Sequence, residues 1–247
     1  MGTVAAMSEG RLRIGTSGYD YRHWRGVLYP ESLPRRSWLA YYAERFPAVE
    51  INGTFYSLPE PGTVRGWAAA VGADFRFVLK FSRYGSHMKR LKDPEASLER
   101  FRPVAAALGG QLGGVLLQLP PRWRPDAERL DRFLAAAPEL PWVVEFRDER
   151  WLADEVLAVL RAHDAALCVH DALADHPRCA TAERVYLRFH GVDYGGAYSD
   201  EALDDWAAWL AGERRAGRDA WVFFNNDQEG HAVVDAQRLA ERLDGPV

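Results

Sequence analysis

The chain alternates short apolar runs with longer amphipathic stretches along its length. The apolar runs are four to seven residues long and rich in Val, Leu, Ile and Phe, which is typical of buried parallel strands. This pattern predicts eight strands, over Leu12–Thr16, Ala48–Asn52, Phe75–Phe81, Gly114–Leu119, Trp142–Phe146, Ala166–Val169, Val185–Phe189 and Ala220–Phe224.

The stretches between these runs are amphipathic and rich in Ala, Leu and Arg, as surface helices are. Asp93, Asp126 and Ser199 stand at positions that suit helix starts. The segment Ala172–Glu183 is too short and broken for a helix, and we interpret it as an irregular crossover. The remaining stretches predict helices over Ser37–Arg45, Thr63–Val71, Pro94–Leu108, Asp126–Ala136, Ala153–Ala162, Asp200–Ala216 and Ala232–Leu243.

Eight strands with intervening helices predict an α/β protein, a (β/α)8 TIM-barrel-like single domain over residues 11–245. Such barrels take roughly 250 residues, and the chain has 247. An open doubly wound sheet loses support, because the turn from Gly15 to Gly18 lacks the dinucleotide-binding fingerprint and no P-loop motif occurs. We expect residues 1–10 to form a short disordered N-terminal segment.

Composition narrows the classes of function. The formal net charge of −4 argues against wrapping nucleic acid globally and leaves room for a local basic site. We expect a cytoplasmic protein with no membrane partner. No apolar run approaches the roughly 20 residues of a membrane-spanning helix, no secretory signal opens the chain, and two cysteines make no disulfide framework. The 31 basic residues include only three lysines, Lys80, Lys89 and Lys92, which stand out against the arginines.

Polar side chains stand at the carboxyl ends of the predicted strands, where βα barrels place their chemistry. Several are spaced two apart, so strand alternation turns both members of a pair toward the same face. A buried ion-pair network is the alternative interpretation, with the two glutamates neutralised by the lysine and the arginines, because buried charges must be paired. The inward candidates are Glu50, Asn52, Lys80, Gln118, Glu145, Arg147, Asp171, Arg188, His190 and Asn225.

The loops after these strands interleave basic and aromatic residues. Such a rim suits an anionic ligand with flat rings or sugar faces. Ordinary packing at the rim of an arginine-rich protein is the alternative. Tyr19 is one candidate for ligand contact, and we expect Trp24, Tyr56, Tyr84 and His87 to line the same mouth as Lys80.

Seven motifs resemble those of the DUF72 family, also called YecE-like proteins. They are IGTSGYDYRHWRGVLYP, VEINGTFYSLP, KFSRYGSHMKRLKD, LQLPPRW, VVEFRDERW, LRFHG and FFNND, in this order over nearly the whole chain. The resemblance implies a TIM-barrel-like fold and no agreed biochemical activity. Tyr19 stands where the family more often has Trp. The family motifs fall on Gly15, Ser17, Gly18, Trp24, Glu50, Asn52, Phe55, Tyr56, Lys80, His87, Gln118, Pro120, Glu145, Arg147, Trp151, Asp171, Arg188, His190, Gly191 and Asn225.

Two classes of function remain open. In the first, the protein is an enzyme, a hydrolase or an isomerase, acting on a small anionic substrate that is phosphorylated or sugar-like. The lysine and arginines at the strand ends would bind the anion. Glu50 and Glu145 would supply a general base and acid, and His190 is a third proton-transfer candidate. In the second class, the basic and aromatic rim binds nucleic acid.

A metal-dependent hydrolase is a variant of the enzyme hypothesis. Glu145, Asp171 and His190 end three successive strands and make a ligand set that suits a divalent cation, a pattern that resembles endonuclease-IV-like barrels. The neighbouring Arg147 and Arg188 would repel such a cation. We therefore predict no resident cofactor and keep the divalent metal as an alternative. The sequence carries no signal for an oligomeric state.

Overall fold

Eight parallel strands close into a barrel in the computed structural model of the protein, which describes residues 8–191 and 195–243. They follow one another in chain order, and the first pairs with the last. This confirms the predicted (β/α)8 TIM-barrel-like architecture. The strands are β1 (Leu12–Thr16), β2 (Ala48–Ile51), β3 (Arg76–Lys80), β4 (Leu112–Gln118), β5 (Trp142–Glu145), β6 (Ala166–His170), β7 (Arg184–Phe189) and β8 (Asp219–Phe224).

Helices surround the barrel and follow most of the strands. The stretch 171–183, described throughout, connects β6 to β7 without a helix, as the sequence predicts. No helix in the described part of the chain is long and apolar enough to cross a membrane. The helices are α1 (Trp38–Ala43), α2 (Gly53–Tyr56), α3 (Pro61–Ala69), α4 (Pro94–Ala106), α5 (Ala127–Ala135), α6 (Asp154–Ala162), α7 (Asp200–Arg215) and α8 (His231–Arg242).

Two of the three expected capping residues act as caps. The Asp126 carboxylate accepts the backbone N–H of Arg129 at the start of α5, and Ser199 accepts that of Ala202 at the start of α7. Asp93 precedes α4 in a left-handed conformation (φ 49°) and its side chain caps nothing. Helix α4 nevertheless begins at Pro94, directly after Asp93, so the predicted helix start is confirmed and only the side-chain cap is missing.

Several short elements at the carboxyl end of the barrel have no counterpart in the sequence prediction, and two of them follow β2 and β3. Helix α2 follows β2 directly, and a π-helical turn over Tyr84–Met88 follows β3. Together they bring Phe55 and His87 into edge-to-face contact, with 5.0 Å between the ring centres. The π-helical turn needs Gly85, because a Cβ there would lie 2.5 Å from the Phe81 ring.

Side chains fill the barrel interior in layers. Alternation along each strand turns every second residue inward, and the central layer is almost wholly apolar. On the outer face of the barrel, Phe81, Phe101, Phe133 and Trp142 pack edge to face or tilted against one another. The central layer consists of Ala48, Val78, Leu116, Val143, Cys168, Tyr186 and Phe223.

The ends of the predicted domain lie partly outside the described residues. Residues 1–7 of the predicted N-terminal segment and residues 244–245 of the predicted domain fall there. Gly10 is buried, and its backbone N–H donates to the carbonyl of Arg214 at 2.9 Å. The beginning of β1 is thereby tied to the end of α7.

Candidate functional site

A polar layer lies directly above the apolar layer, toward the carboxyl ends of the strands. Its members stand two positions after the apolar residues, so the same alternation turns them inward. Five of them, Glu50, Lys80, Glu145, His170 and Arg188, are buried, with at most 8% of their surface exposed. Gln118 and Asn225 complete the layer and are partly buried. The barrel therefore carries a set of ionisable groups where its core ends.

Arg188 joins two carboxylates across the barrel. Its guanidinium donates one hydrogen bond to Glu50 Oε1 (2.7 Å) and another to Glu145 Oε2 (2.6 Å). All three side chains are almost fully buried. Burial disfavours the charge of Arg188, but the two carboxylates outweigh it and raise its pKa well above the ordinary value. The buried ion-pair network considered above therefore exists and links β2, β5 and β7.

Glu50 has further donors on both of its oxygens. Ser17 Oγ donates to Oε1 and Tyr186 OH donates to Oε2, each at 2.7 Å. Tyr186 is a residue that the sequence analysis missed, although it lies two positions before Arg188 on the same face of β7. Burial and the neighbouring Glu50 raise the pKa of Tyr186, so this hydroxyl stays a donor. Glu50 is thus held from three sides below the mouth.

Glu145 differs from Glu50 in having one partly exposed partner. Arg147 contacts Glu145 Oε1 with its Nε, and the side chain of Arg147 is 17% exposed. Gln118 Nε2 also donates to this oxygen at 3.1 Å. Burial alone would raise the pKa of Glu145, but Arg188 and Arg147 outweigh it and hold that pKa well below the ordinary value. Glu145 is a buried anion covered by a partly exposed arginine.

His190 is a neutral imidazole beside this pair. Its Nε2 accepts a hydrogen bond from Arg147 Nη2, and arginine can only donate, so Nε2 carries no proton. Its Nδ1 lies 3.5 Å from Asp171 Oδ1. Burial and the positive charge of Arg188 lower the pKa of His190 to about 3.

Asp171 connects the end of β6 to the end of β7. Its carboxylate accepts the backbone N–H groups of His190 (2.9 Å) and Gly191 (3.4 Å) and the hydroxyl of Tyr198. His170 is also committed locally: Nε2 donates to the Phe146 carbonyl (2.7 Å), and Nδ1 accepts the N–H of Ala172. These two residues position the backbone around the site.

Lys80 occupies the side of the layer next to α2. Its Nζ lies 4.6 Å from the centre of the Phe55 ring, and 8% of the residue is exposed. Burial and then Arg188 lower the pKa of Lys80 to about 8, although Glu145 and Glu50 act in the opposite direction. His87 packs edge to face against Phe55, and burial together with Lys80 lowers the pKa of His87 to about 4.

Three of the predicted rim residues fall into two groups, one buried and one exposed. Trp24 is fully buried, stacks on Tyr42 and donates to Asp227 Oδ1 (2.6 Å), so its ring is closed to a ligand and does not line the mouth. Tyr56 and Tyr84 are exposed, by 78% and 37%, and line a groove of about 320 Å³ beside Phe55.

The remaining candidates are not members of the ion-pair network. Tyr19 and Asn52 line a separate cavity of about 340 Å³ among the segments that follow β1 and β2. Asn52 Oδ1 is buried and has no hydrogen-bond partner among the described residues. Asn225 is partly buried after β8, and its backbone N–H donates to the Phe189 carbonyl (2.7 Å). Neither amide side chain contacts the buried charges through any hydrogen bond between described residues.

The proposed Glu145, Asp171 and His190 ligand set does not fit a divalent cation in this arrangement. Both Glu145 oxygens face guanidinium groups, and Asp171 faces backbone N–H groups and a hydroxyl. Across residues 8–191 and 195–243, no cluster of His, Cys, Asp and Glu is placed to hold a metal ion. The guanidinium groups of Arg147 and Arg188 already occupy the Glu145 oxygens that a cation would need as ligands.

Comparisons with known proteins agree with the motifs. The protein is 22% identical to the UPF0759 protein YunF of Bacillus subtilis over 94% of its own length and 95% of the relative. It is 34% identical to the UPF0759 protein YecE of Escherichia coli over 45% of its length and 42% of the relative.

Solved structures match the whole fold. A DUF72 family protein from Thermotoga maritima superposes with a TM-score of 0.82 at 26% identity, covering 95% of this chain and 99% of the other. One from Enterococcus faecalis gives 0.80 at 20% identity, covering 96% of each chain. The sequence model described as "Protein of unknown function DUF72" matches residues 13–246. The chain therefore belongs to the DUF72 family.

Proposed function

We propose that this protein is an enzyme that acts on a small anionic substrate, phosphorylated or sugar-like, at the carboxyl-terminal mouth of the barrel. The observation that carries the proposal is the pairing of a partly exposed Arg147 with a buried Glu145 anion. Arg188 is already shared between two carboxylates. Arg147 and Lys80 are therefore the basic side chains that remain for a ligand.

Arg147 gives the substrate a way to activate Glu145. A planar guanidinium suits bidentate contact with phosphate or carboxylate. A ligand that draws Arg147 away from Glu145 removes one of the charges that hold the Glu145 pKa down. The pKa then rises toward the range in which a carboxyl exchanges protons at neutral pH. Glu50 lies under Arg188, Ser17 and Tyr186, so Glu145 is the better candidate for acid/base chemistry.

The test is a thermal-shift comparison of sugar phosphates with the same sugars lacking phosphate. A ligand at about 100 times its dissociation constant stabilises the folded state by about 2.7 kcal/mol. We expect phosphorylated compounds alone to raise Tm, and Arg147→Lys to abolish the rise because the planar fork is lost. Arg102→Lys, at a surface ion pair with Glu139, is the matched control and should retain it. A shift that survives Arg147→Lys would contradict the proposal.

Single-stranded nucleic acid is a second candidate ligand, supported by the groove beside Phe55. The exposed rings of Tyr56 and Tyr84 share this groove with Arg83 and Arg100, a combination suited to stacking bases and contacting phosphates. Binding of a single-stranded oligonucleotide should then weaken steeply as salt rises. Absence of binding at low salt would remove this candidate.

A further inference from the structure

Lys80 is a buried amine that no carboxylate in the described part of the chain pairs with. It ends β3, and its Nζ lies over the Phe55 ring. Among the residues that the structure describes, no ion pair joins it to an Asp or Glu, whereas Lys89 pairs with Asp93 (3.7 Å) at the surface. Thr54 Oγ1 donates to the Lys80 carbonyl at 2.7 Å, which fixes the start of α2 against the end of β3.

The surroundings of Lys80 favour an uncharged amine. Burial and the adjacent Arg188 and Arg147 all disfavour a further positive charge, and the pKa of about 8 leaves an appreciable neutral fraction at neutral pH. A neutral lysine amine is a nucleophile, and desolvation or a neighbouring cation is a known means of producing one.

The presence of lysine rather than arginine at position 80 distinguishes two roles, anion binding and chemistry at nitrogen. Of the 31 basic residues, 28 are arginines. Arginine supplies a positive charge and is never deprotonated in proteins, so it serves for anion binding. Only lysine supplies a neutral amine. A lysine beside the arginines of this site therefore favours chemistry at nitrogen over charge alone.

We propose that Lys80 forms an imine with the carbonyl carbon of an aldehyde or ketone substrate that carries an anionic group. The Nζ lone pair forms the C–N bond while the carbonyl π electrons move to oxygen, which takes up a proton. The carbinolamine then loses water as the C=N bond forms, and both amine protons leave with the carbonyl oxygen. This inference rests on the proposed function for the anionic group, which Arg147 binds.

Reductive trapping tests the imine directly, because the chain offers only three lysines for comparison. The protein is incubated with glycolaldehyde phosphate or with glycolaldehyde, each with cyanoborohydride, and the modified lysines are mapped by mass spectrometry. We expect Lys80 to be modified several-fold more than Lys89 and Lys92, and more by the phosphorylated aldehyde. Even modification of all three lysines would overturn the proposal.

Two variants separate this inference from the proposed function. Lys80→Arg should abolish the selective modification and leave that of Lys89 and Lys92 unchanged. Arg147→Lys should remove the preference for the phosphorylated aldehyde while Lys80 still reacts with glycolaldehyde. If phosphorylated compounds raise Tm in an Arg147-dependent way but Lys80 is never trapped, the imine is wrong and the anion site stands. If Lys80 is trapped without any phosphate preference, the anion site is wrong.

A measurement on the unmodified protein covers the case in which Lys80→Arg does not fold. Trace acetylation with acetic anhydride is followed at each lysine from neutral to alkaline pH. We expect the reactivity of Lys80 to reach half its maximum near pH 8, at lower pH than that of Lys89 and Lys92. Coincident profiles for the three lysines would contradict the proposal.

Discussion

Glu145 is a fully buried carboxylate that forms ion pairs with two guanidinium groups. Removing one partner of a buried ion pair leaves an uncompensated charge and costs about 3–5 kcal/mol, whereas an exposed pair contributes about 0–1 kcal/mol. We therefore expect Glu145→Gln to lower the free energy of unfolding by about 3–5 kcal/mol in urea titrations. Glu139→Gln, which breaks the exposed pair with Arg102, is the matched control and should cost less than about 1 kcal/mol.

The Glu145→Gln variant also distinguishes a structural role of this carboxylate from its proposed acid/base role. If Glu145→Gln is strongly destabilised yet binds phosphorylated ligands unchanged and retains turnover, the carboxylate is purely structural and its proposed acid/base role is wrong. If the loss of stability is no larger than that of Glu139→Gln, the buried network carries less of the stability than its geometry implies.

At the level of single residues, spacing predicted more than residue type did. Glu145 and Arg147 stand two apart, and the structure brings them into contact above β5. Trp24 was predicted to line the mouth because it lies in the loop after β1. Its large apolar ring instead packs among aromatic side chains. Tyr186 escaped notice because a tyrosine within an apolar run is indistinguishable from core until its hydroxyl has a partner.

Helix starts give the sharpest prediction at the scale of elements. Ser199 accepts a backbone N–H of α7, and removing such a cap costs about 1 kcal/mol. We expect Ser199→Ala to lower the free energy of unfolding by that amount. Asp93→Gly should not destabilise the protein, because Asp93 caps nothing and glycine adopts its positive φ without strain. Equal losses in urea titrations of the two variants would contradict this difference.

The long elements were predictable and the short ones were not. Strands and helices with a sustained period appear within a few residues of their predicted bounds, because burial on one face imposes that period. Helix α2 and the π-helical turn at Tyr84–Met88 are too short to show a period. Their contacts with the barrel decide their conformation, and they are the elements that place Phe55 beside Lys80.

The partners within the site depend on how the whole barrel closes. Eight apolar runs predict eight strands, and the topology then gathers their carboxyl ends at one mouth. Which carboxylate meets which guanidinium depends on register and on the distance across the barrel. Arg188 on β7 reaches both Glu50 on β2 and Glu145 on β5, and no spacing along the sequence encodes that contact.

Burial of histidines gives the molecule a sensitivity to acid. Burial lowers the pKa values of four histidines, of which His190 and His176 fall to about 3 and about 4, from an ordinary value of 6.5. His87 and His170 shift in the same direction. Below pH 6.5 the unfolded chain therefore binds protons that the folded protein excludes, so stability falls as the pH falls toward these lowered values. Glu145 acts in a separate window, because its depressed pKa makes it lose stabilisation only below about pH 4.3.

Unfolding in urea at a series of pH values between neutral and about 4.5 tests this expectation, since the carboxylate window lies lower. Each excluded proton contributes a slope of up to about 1.4 kcal/mol per pH unit, so several histidines together should make the decline steep. His176→Gln and His190→Gln should each flatten the slope by one proton, because glutamine does not titrate. A free energy of unfolding that stays constant down to this pH, or a slope that neither variant changes, would show that the folded protein admits protons at these histidines.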